Sequence, residues 1–255
     1  MASTTAAVIP ARFASTRFPG KPLALISGVP MIVWVARAAR RAERVDRVLV
    51  ATDDERIRDA VVAAGFEAAM TDPDLPSGSD RVAAAVDTLD VAPELIVNVQ
   101  GDEPLLDPAD LDVLIAAAEP GAIGTLARPF EDTSRVEDPN VVKVARAESG
   151  RALYFSRAPI PYGASSYLQH VGIYAYPPAV LKRFVSLSPS PLERAERLEQ
   201  LRAMENQIPI QVTLCQSSSP SIGVDTPADL ERVEDVLRRS NLSPSGMGHA
   251  PQAAS

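Results

Sequence analysis

Residues 45–65 read Val-Asp-Arg-Val-Leu-Val-Ala-Thr-Asp-Asp-Glu-Arg-Ile-Arg-Asp-Ala-Val-Val-Ala-Ala-Gly, and they join an apolar run to a segment of helical period. The apolar run, residues 45–52, predicts a buried strand. Asp53 or Asp54 can cap the helix that follows, and Gly65 supplies the left-handed residue that commonly ends a helix. With an apolar run at residues 6–10 and a helix predicted over residues 31–42, this stretch completes a βαβ unit.

The same alternation of strands and helices continues along the chain. Further strands are predicted at residues 95–99, 123–128, 141–145, 170–176 and 210–215, and further helices at residues 79–88, 109–118, 191–204 and 227–239. Such an alternation is typical of a parallel sheet that is covered by helices on both faces. The sequence therefore predicts an α/β fold, a three-layer sandwich with a mainly parallel central sheet.

The composition restricts the class of protein. The 255 residues carry a formal net charge of −8 without a visible basic face, so we expect no nucleic-acid partner. We expect no membrane association, because no apolar stretch approaches the roughly 20 residues that span a bilayer and residues 1–7 do not resemble a signal peptide. Cys215 is the only cysteine, which excludes an internal disulfide and fits a cytoplasmic location. We expect one domain over residues 1–240 and a disordered tail over residues 241–255.

The loop after the first predicted strand is rich in cations. Residues 10–22 read Pro-Ala-Arg-Phe-Ala-Ser-Thr-Arg-Phe-Pro-Gly-Lys-Pro and place Arg12, Arg17 and Lys21 within ten residues. Ligands of open α/β sheets bind beyond the carboxyl ends of the strands, and guanidinium and ammonium groups there can neutralise a triphosphate. The alternative is a solvated basic loop, which the neighbouring glycine and prolines disfavour. Neither a P-loop nor a G-x-G-x-x-G motif is present, which argues against P-loop NTPases and Rossmann dehydrogenases.

Two aspartates are candidate magnesium ligands. Asp102 follows the predicted strand at residues 95–99, and Asp225 lies just before the last predicted helix. A carboxylate at the end of a buried strand requires a compensating cation, and Mg²⁺ bound to substrate phosphates is a common one. Asp102 could instead only cap a turn, and Asp225 could be purely structural, since Thr226-Pro227 is an ordinary helix start. Their distance in the sequence does not show whether they meet.

Six motifs resemble the CMP-KDO synthetases, the 3-deoxy-manno-octulosonate (KDO) cytidylyltransferases, over residues 8–236. They are Ile9-Pro10-Ala11-Arg12 through Gly20-Lys21-Pro22, Asn98-Val99-Gln100-Gly101-Asp102-Glu103-Pro104, Ala152-Leu153-Tyr154-Phe155-Ser156-Arg157-Ala158, Pro189-Ser190-Pro191-Leu192-Glu193, Leu198-Glu199-Gln200-Leu201-Arg202 and Gly223-Val224-Asp225-Thr226-Pro227. The resemblance implies the nucleotide-diphospho-sugar transferase fold. It also implies that an acceptor oxygen attacks the α-phosphorus of CTP, releasing pyrophosphate, in a magnesium-dependent homodimer.

The resemblance also implies roles for individual residues. Catalysis would depend on Arg12, Lys21 and Asp102, and Mg²⁺ would bind Asp102 and Asp225. The nucleotide would contact Arg12, Arg17, Lys21, Ser77, Arg81 and Gln100. The small acidic acceptor would contact Gln100, Arg157, His170, Tyr174, Glu199 and Gln200. A lone histidine on a strand is more often structural, so the role of His170 depends mostly on the resemblance.

Three departures from the family pattern concern the acceptor side. Leu75-Pro76 replaces the usual His-Gln, Gln169 replaces an arginine before the histidine, and the connection before that strand is shortened to residues 162–168. The acceptor is therefore either KDO, or a KDO-like acid, or a smaller phosphonate of natural-product biosynthesis. A non-catalytic nucleotide-binding module is a further alternative, and a sugar 1-phosphate transferase is disfavoured because its glycine-rich opening loop is absent.

Overall fold

The computed structural model describes residues 4–14, 18–130, 133–217 and 222–239. Arg17 and the predicted tail at residues 241–255 lie outside these ranges. In the described part of the chain, no helix has the length and apolar character needed to cross a membrane.

One sheet forms the centre of the molecule. Its main path has the order β11-β7-β10-β6-β1-β4-β5, and β8 and β9 extend it beside β10. The strands of this sheet and of a separate short hairpin, β2–β3, are β1 (Thr5–Ala11), β2 (Leu25–Ile26), β3 (Val29–Pro30), β4 (Arg47–Thr52), β5 (Glu67–Met70), β6 (Leu95–Asn98), β7 (Ile123–Pro129), β8 (Lys143–Arg146), β9 (Ala152–Ser156), β10 (Leu168–Tyr176) and β11 (Ile210–Leu214). Along the main path only β10 pairs antiparallel to its neighbours, so the prediction of a mainly parallel sheet is confirmed.

Helices cover both faces of this sheet. They are α1 (Met31–Arg40), α2 (Glu55–Ala63), α3 (Gly78–Val86), α4 (Pro108–Ala116), α5 (Pro178–Val185), α6 (Pro191–Glu196), α7 (Gln200–Glu205) and α8 (Pro227–Arg239). One face packs Val82 of α3, Phe184 of α5 and Leu201 of α7 in a single apolar cluster. The opposite face packs Val35 of α1 and Leu111 of α4 with side chains from the same strands. These are the three layers that the sequence predicts.

The βαβ unit forms as the sequence predicts, and of Asp53 and Asp54 it is Asp54 that caps the helix. Asp54 caps α2 by accepting a hydrogen bond from the Arg56 backbone N–H at 2.9 Å, and Gly65 has a left-handed φ of 84°. The register pairs Val8 with Leu49 on one side and with Asn98 on the other, all parallel. The carboxyl ends of β1, β4 and β6 therefore meet at one edge, and the loops that follow them lie together.

The helix predicted over residues 191–204 is wrong in one respect, because the structure has two helices there. Arg197 adopts a left-handed conformation (φ 55°) that ends α6, and α7 begins at Gln200. The turn lets Leu198 enter the apolar cluster while Arg202 of α7 binds Glu193 of α6 at 2.6 Å. Burial of Leu198 and this partly buried ion pair favour the turn over a continuous helix.

Candidate active site

The loop after β1 is closed on itself. The Gly20 N–H donates to the Phe13 carbonyl at 3.0 Å, and Gly20 has a φ of 72°, a conformation that favours glycine. A side chain at Gly20 would also approach the Phe13 ring to 3.2 Å. The Arg56 guanidinium lies 3.6 Å from the centroid of that ring, a cation–π contact. The two ends of the loop, which carry Arg12 and Lys21, are therefore held at fixed positions.

A buried ion pair supports this loop from behind. Asp53 accepts the Phe13 N–H at 3.2 Å through one oxygen and the Arg81 guanidinium at 3.1 Å through the other. Arg81 is fully buried and also donates to the Thr71 hydroxyl. Burial lowers the pKa of Arg81, and Asp53 opposes this shift. Through Asp53, Arg81 therefore supports the loop after β1. From the sequence, Asp53 is only a possible helix cap. One helix needs only one capping aspartate, so the second of the two adjacent aspartates was the available signal for another partner.

Lys21 brings the two candidate metal ligands together. Its ammonium donates to Asp102 at 2.7 Å and to Asp225 at 3.2 Å, although these aspartates are far apart in the sequence. Burial alone lowers the pKa of Lys21, but the two carboxylates more than offset this and raise the pKa above its ordinary value. Lys21 is therefore charged at neutral pH, and both aspartates face a single cationic centre.

The backbone brings Asp225 to this position. The Val224 N–H donates to the Asp102 carbonyl at 2.9 Å, and the Val224 side chain is buried in a cluster with Trp34 and Val233. Asp229 accepts the backbone N–H groups of Asp225 and Thr226 at 3.1 and 2.8 Å. These bonds and the contacts to Thr226 and Arg232 outweigh the opposing effect of burial and lower the pKa of Asp229 to about 2. Thr226 is thus a helix start, as the sequence suggests, while Asp225 faces Lys21.

A cavity of about 410 Å³ opens at this edge of the sheet, and five predicted site residues line it: Arg12, Lys21, Gln100, Asp102 and Asp225. Arg12 also donates to the Leu75 carbonyl at 2.6 Å, so the unusual residue at position 75 contributes only its backbone to this contact. A side chain at Gly101 would come within 2.8 Å of the Pro10 carbonyl, so the close approach of these loops requires glycine there. Gly78, the first residue of α3, completes the wall, and the Ser77 hydroxyl caps that helix by accepting from the Asp80 N–H at 3.1 Å.

A second cavity, of about 750 Å³, shares Asp102 and Asp225 with the first. It is lined further by Gln169 and His170 of β10 and by residues of the turn at 138–142. In the described part of the chain, four predicted acceptor residues line neither of these two cavities: Arg157, Tyr174, Glu199 and Gln200. Glu199 instead accepts from the Ser79 hydroxyl at 2.8 Å, and the Tyr174 ring lies 5.5 Å from the His170 ring. Gln200 is 5% exposed. Within the described ranges, only Gln100 and His170 of the predicted acceptor residues therefore line a cavity that the aspartates share.

Arg157 is held by backbone carbonyls. Its guanidinium donates to the carbonyls of Glu196, Pro139 and Arg197 at 2.7, 2.8 and 3.3 Å. A guanidinium has five N–H donors, so these bonds leave part of its fork for a ligand. The backbone of Arg157 is held as well, because its N–H donates to the Glu196 carboxylate at 2.9 Å. Nothing in the sequence indicated these contacts.

His170 is a buried histidine that forms a hydrogen bond through its ring. Its Nε2 lies 2.9 Å from the Thr125 hydroxyl, which in turn donates to the Ile173 carbonyl at 2.9 Å. A hydroxyl has one hydrogen to donate, so when Thr125 donates to this carbonyl it accepts a hydrogen bond from Nε2 of His170. Burial lowers the pKa of His170 to about 3. A group with this pKa is a poor general base at neutral pH, and its chemistry here is that of a hydrogen-bonding partner.

The burial of His170 should make the free energy of unfolding depend on pH. The unfolded His170 gains a proton near pH 6.5 and the folded one only near pH 3, so the unfolded state binds more protons between these values. The free energy of unfolding therefore falls as the pH drops through this window. Between pH 7 and pH 5 we expect the chain to lose about 2 kcal/mol more than the variant His170→Gln, measured by urea denaturation. Equal losses in the two proteins would show that His170 titrates normally.

An α/β sheet that presents a cationic loop and two carboxylates to one cavity at its carboxyl edge has the arrangement of a nucleotidyltransferase. A family model described as cytidylyltransferase matches residues 6–212. The chain is 50% identical to the 3-deoxy-manno-octulosonate cytidylyltransferase of Anaeromyxobacter dehalogenans (strain 2CP-C), with 91% of this chain and 97% of that protein covered. It is 52% identical to the protein of the same name from Parvibaculum lavamentivorans, with 92% and 93% covered. The chain therefore belongs to the 3-deoxy-manno-octulosonate cytidylyltransferase family and is a cytidylyltransferase.

A solved structure agrees with this assignment. It is described as CMP:2-keto-3-deoxy-manno-octonic acid synthetase complexed with CTP, and it superposes with a TM-score of 0.87 at 41% identity. The match covers 93% of this chain and all of that one. The prediction of the α/β fold and the resemblance drawn from the six motifs are both confirmed.

Proposed function

We propose that this chain transfers CMP from CTP to 3-deoxy-manno-octulosonate and releases pyrophosphate. The observation that carries the proposal is the convergence of Lys21, Asp102 and Asp225 on one cavity that Arg12 also lines. The relatives named above support the choice of CTP and of this acceptor. Arg12 and Lys21 would neutralise the triphosphate, and this charge neutralisation would stabilise the leaving pyrophosphate.

The two aspartates fit a magnesium ion. Mg²⁺ is commonly held by one or two carboxylates together with substrate phosphates, and Asp102 and Asp225 already bind one cationic group between them. No group of three or more acidic, histidine or cysteine side chains that could hold a metal occurs in the described ranges. This fits an ion that arrives with the nucleotide better than one held by the protein alone. When bound, Mg²⁺ would polarise the phosphates and neutralise developing charge.

The remaining steps depend on the chain's own residues. A hydroxyl oxygen of the acceptor would form a bond to the α-phosphorus as the bond from that phosphorus to the oxygen bridging the α- and β-phosphates breaks. Pyrophosphate would leave with the bonding electrons, and the hydroxyl proton would pass to solvent water. Arg12 and Lys21 would hold the triphosphate in line for this attack, and Gln100 would lie at the junction of nucleotide and acceptor. Positioning and charge neutralisation would supply most of the acceleration, without a covalent enzyme intermediate.

The acceptor would lie on the side of the second cavity. That cavity begins at the two aspartates and reaches His170 and Gln169, so an acid bound there would be next to the α-phosphate. Leu75 and Gln169 change side chains around the site, but the relatives that carry the KDO name share about half of this sequence. We therefore favour KDO over a small phosphonate.

Pyrophosphate release tests this function. With CTP and Mg²⁺, we expect release to depend on added KDO and to exceed that with a sialic acid or a small phosphonate by at least about 100-fold in kcat/KM. Reactions without acceptor are the control. Faster release with the phosphonate would reassign the acceptor, and no release with any acid would favour a nucleotide-binding module. The homodimer and the cytoplasmic location stay predictions, and sedimentation equilibrium tests the first.

A further inference from the structure

Lys143 is a charged residue in an unusual environment. It lies at the start of β8 and is fully buried, with a relative exposure of 0%. Its ammonium donates to three backbone carbonyls, those of Asp138, Val141 and Arg157, at 3.0, 2.6 and 2.5 Å. Within the described residues it forms no ion pair with a carboxylate. Lys143 is not among the predicted site residues, and the proposed transfer assigns it no role.

The ammonium of Lys143 has as many N–H donors as there are carbonyl acceptors around it. An ammonium has three N–H donors and no acceptor, and three carbonyl oxygens receive them. Burying a charged group without such partners is costly, so Lys143 needs these three carbonyls. In turn, the bonds from Lys143 hold the three carbonyls in place. Burial lowers the pKa of Lys143, while the carboxylates of Asp138 and Glu137 oppose this shift.

The three carbonyls come from two segments that border the proposed acceptor side. Asp138 and Val141 belong to the turn before β8, which lines the second cavity. Arg157 follows the end of β9, and its guanidinium donates back to Pro139 of the same turn at 2.8 Å. The turn also holds β10, because the His170 N–H donates to the Val142 carbonyl at 2.9 Å. Lys143 therefore joins the segments that carry Arg157 and His170.

We propose that Lys143 is a positioning residue for acceptor binding, acting through the turn at residues 138–142 and the backbone of Arg157. This inference rests on the proposed function, since it assigns the acceptor to this side of the site. Lys143 does not touch the triphosphate cavity, whose walls come from the loop after β1, the start of α3, the loop after β6 and Asp225. A change at Lys143 should consequently weaken binding of the acceptor and leave binding of CTP unchanged.

The test compares Lys143→Met with Lys182→Met. Methionine removes the charge and the three donors while keeping an unbranched apolar chain of similar length, and Lys182 is an exposed lysine on α5. We expect the KM for KDO to rise between about 10- and 100-fold in Lys143→Met, because small misplacements of binding groups have effects of this size. The Kd for CTP, measured by calorimetry, should stay within about twofold of the wild-type value. Lys182→Met should match the wild type in both quantities.

A merely structural role gives a different result. It would lower the melting temperature and the active fraction of Lys143→Met, with the KM for KDO unchanged in the protein that folds, and this would overturn the proposal. A parallel loss of CTP affinity would overturn it as well. Should Lys143→Met not fold, Lys143→Gln keeps an amide donor and is judged by the same two quantities, with a smaller rise in KM expected.

Wild-type activity separates this inference from the function on which it rests. Absence of turnover with KDO in the wild type would contradict the proposed acceptor, and the KM ratio would then be taken with the acid that supports turnover. Hydrogen exchange needs no acceptor. In Lys143→Met it should accelerate at residues 138–142 and at the His170 amide and leave the loop after β1 unchanged. Unchanged exchange at residues 138–142 would overturn the proposal whatever the acceptor.

Discussion

Replacing Asp102 by asparagine is expected to reduce kcat by at least about 10³-fold while CTP still binds. Asparagine keeps the shape of the side chain but removes its negative charge. Asp102 is the carboxylate closest to the Lys21 ammonium, at 2.7 Å, and it lines both cavities. The change therefore weakens the proposed metal site and removes the charge of the nearer partner of Lys21. Initial rates of pyrophosphate release and a CTP titration measure the two effects separately.

Asp235→Asn is the matched control for this variant. Asp235 lies on α8 and pairs with Arg238 at the surface, where 51% of its side chain is exposed. An exposed pair contributes little to stability, so this variant should retain wild-type kcat and melting temperature. If Asp102→Asn kept more than a tenth of the wild-type kcat, Asp102 would not be a ligand that the reaction requires.

Replacing Lys21 by methionine is expected to change activity and metal binding in opposite directions. Lys21 is proposed to neutralise the triphosphate, so without its ammonium we expect kcat/KM for CTP to fall by about 10²- to 10³-fold. In the free protein, however, Lys21 occupies the position between Asp102 and Asp225 that a divalent cation would need. Its removal takes away the ammonium that contacts both carboxylates. Mn²⁺ should then bind about tenfold more tightly in the absence of nucleotide, measured by electron paramagnetic resonance.

The opposite signs of these effects make the second prediction specific. Lys182→Met, which removes a lysine from an exposed position, should change neither quantity. Weaker Mn²⁺ binding in Lys21→Met, together with the loss of activity, would mean that Lys21 supports the cation site. It would contradict the competition that the geometry of the free protein indicates.

Local signals explain which parts of the fold could be predicted from the sequence. The β4–α2 unit was predictable because a cap at Asp54 and a left-handed glycine at Gly65 mark the two ends of the helix within the segment itself. The turn at Arg197 was not predictable, because it depends on burial of Leu198 and on the pairing of Arg202 with Glu193. Such tertiary contacts outweigh the local preference for a continuous helix.

The site divides in the same way. Arg12 and Asp102 come soon after buried strands, so the sheet places them at the carboxyl edge, whereas Lys21 is brought there by the Gly20–Phe13 contact that closes the loop. The meeting of Asp225 with Asp102 was implied only by the family resemblance. Spacing in the sequence could not show it, because it depends on the Val224–Asp102 backbone bond and on the cluster around Trp34. Arg81 and Lys143 show a further limit, since a charged residue in sequence gives no indication that its partners will enclose it completely. An isolated lysine inside the predicted strand at residues 141–145 was the available signal for Lys143.

The central claim is that the cationic loop and the two aspartates act on one magnesium-bound triphosphate. A crystal structure of the chain with CTP and Mn²⁺ in place of Mg²⁺ tests it most directly, because Mn²⁺ is located by its anomalous signal. We predict one Mn²⁺ bound by oxygens of Asp102, Asp225 and the triphosphate at about 2.1 Å, with Arg12 and Lys21 contacting the phosphates. A triphosphate bound outside this cavity, or a cation that contacts neither aspartate, would contradict the account.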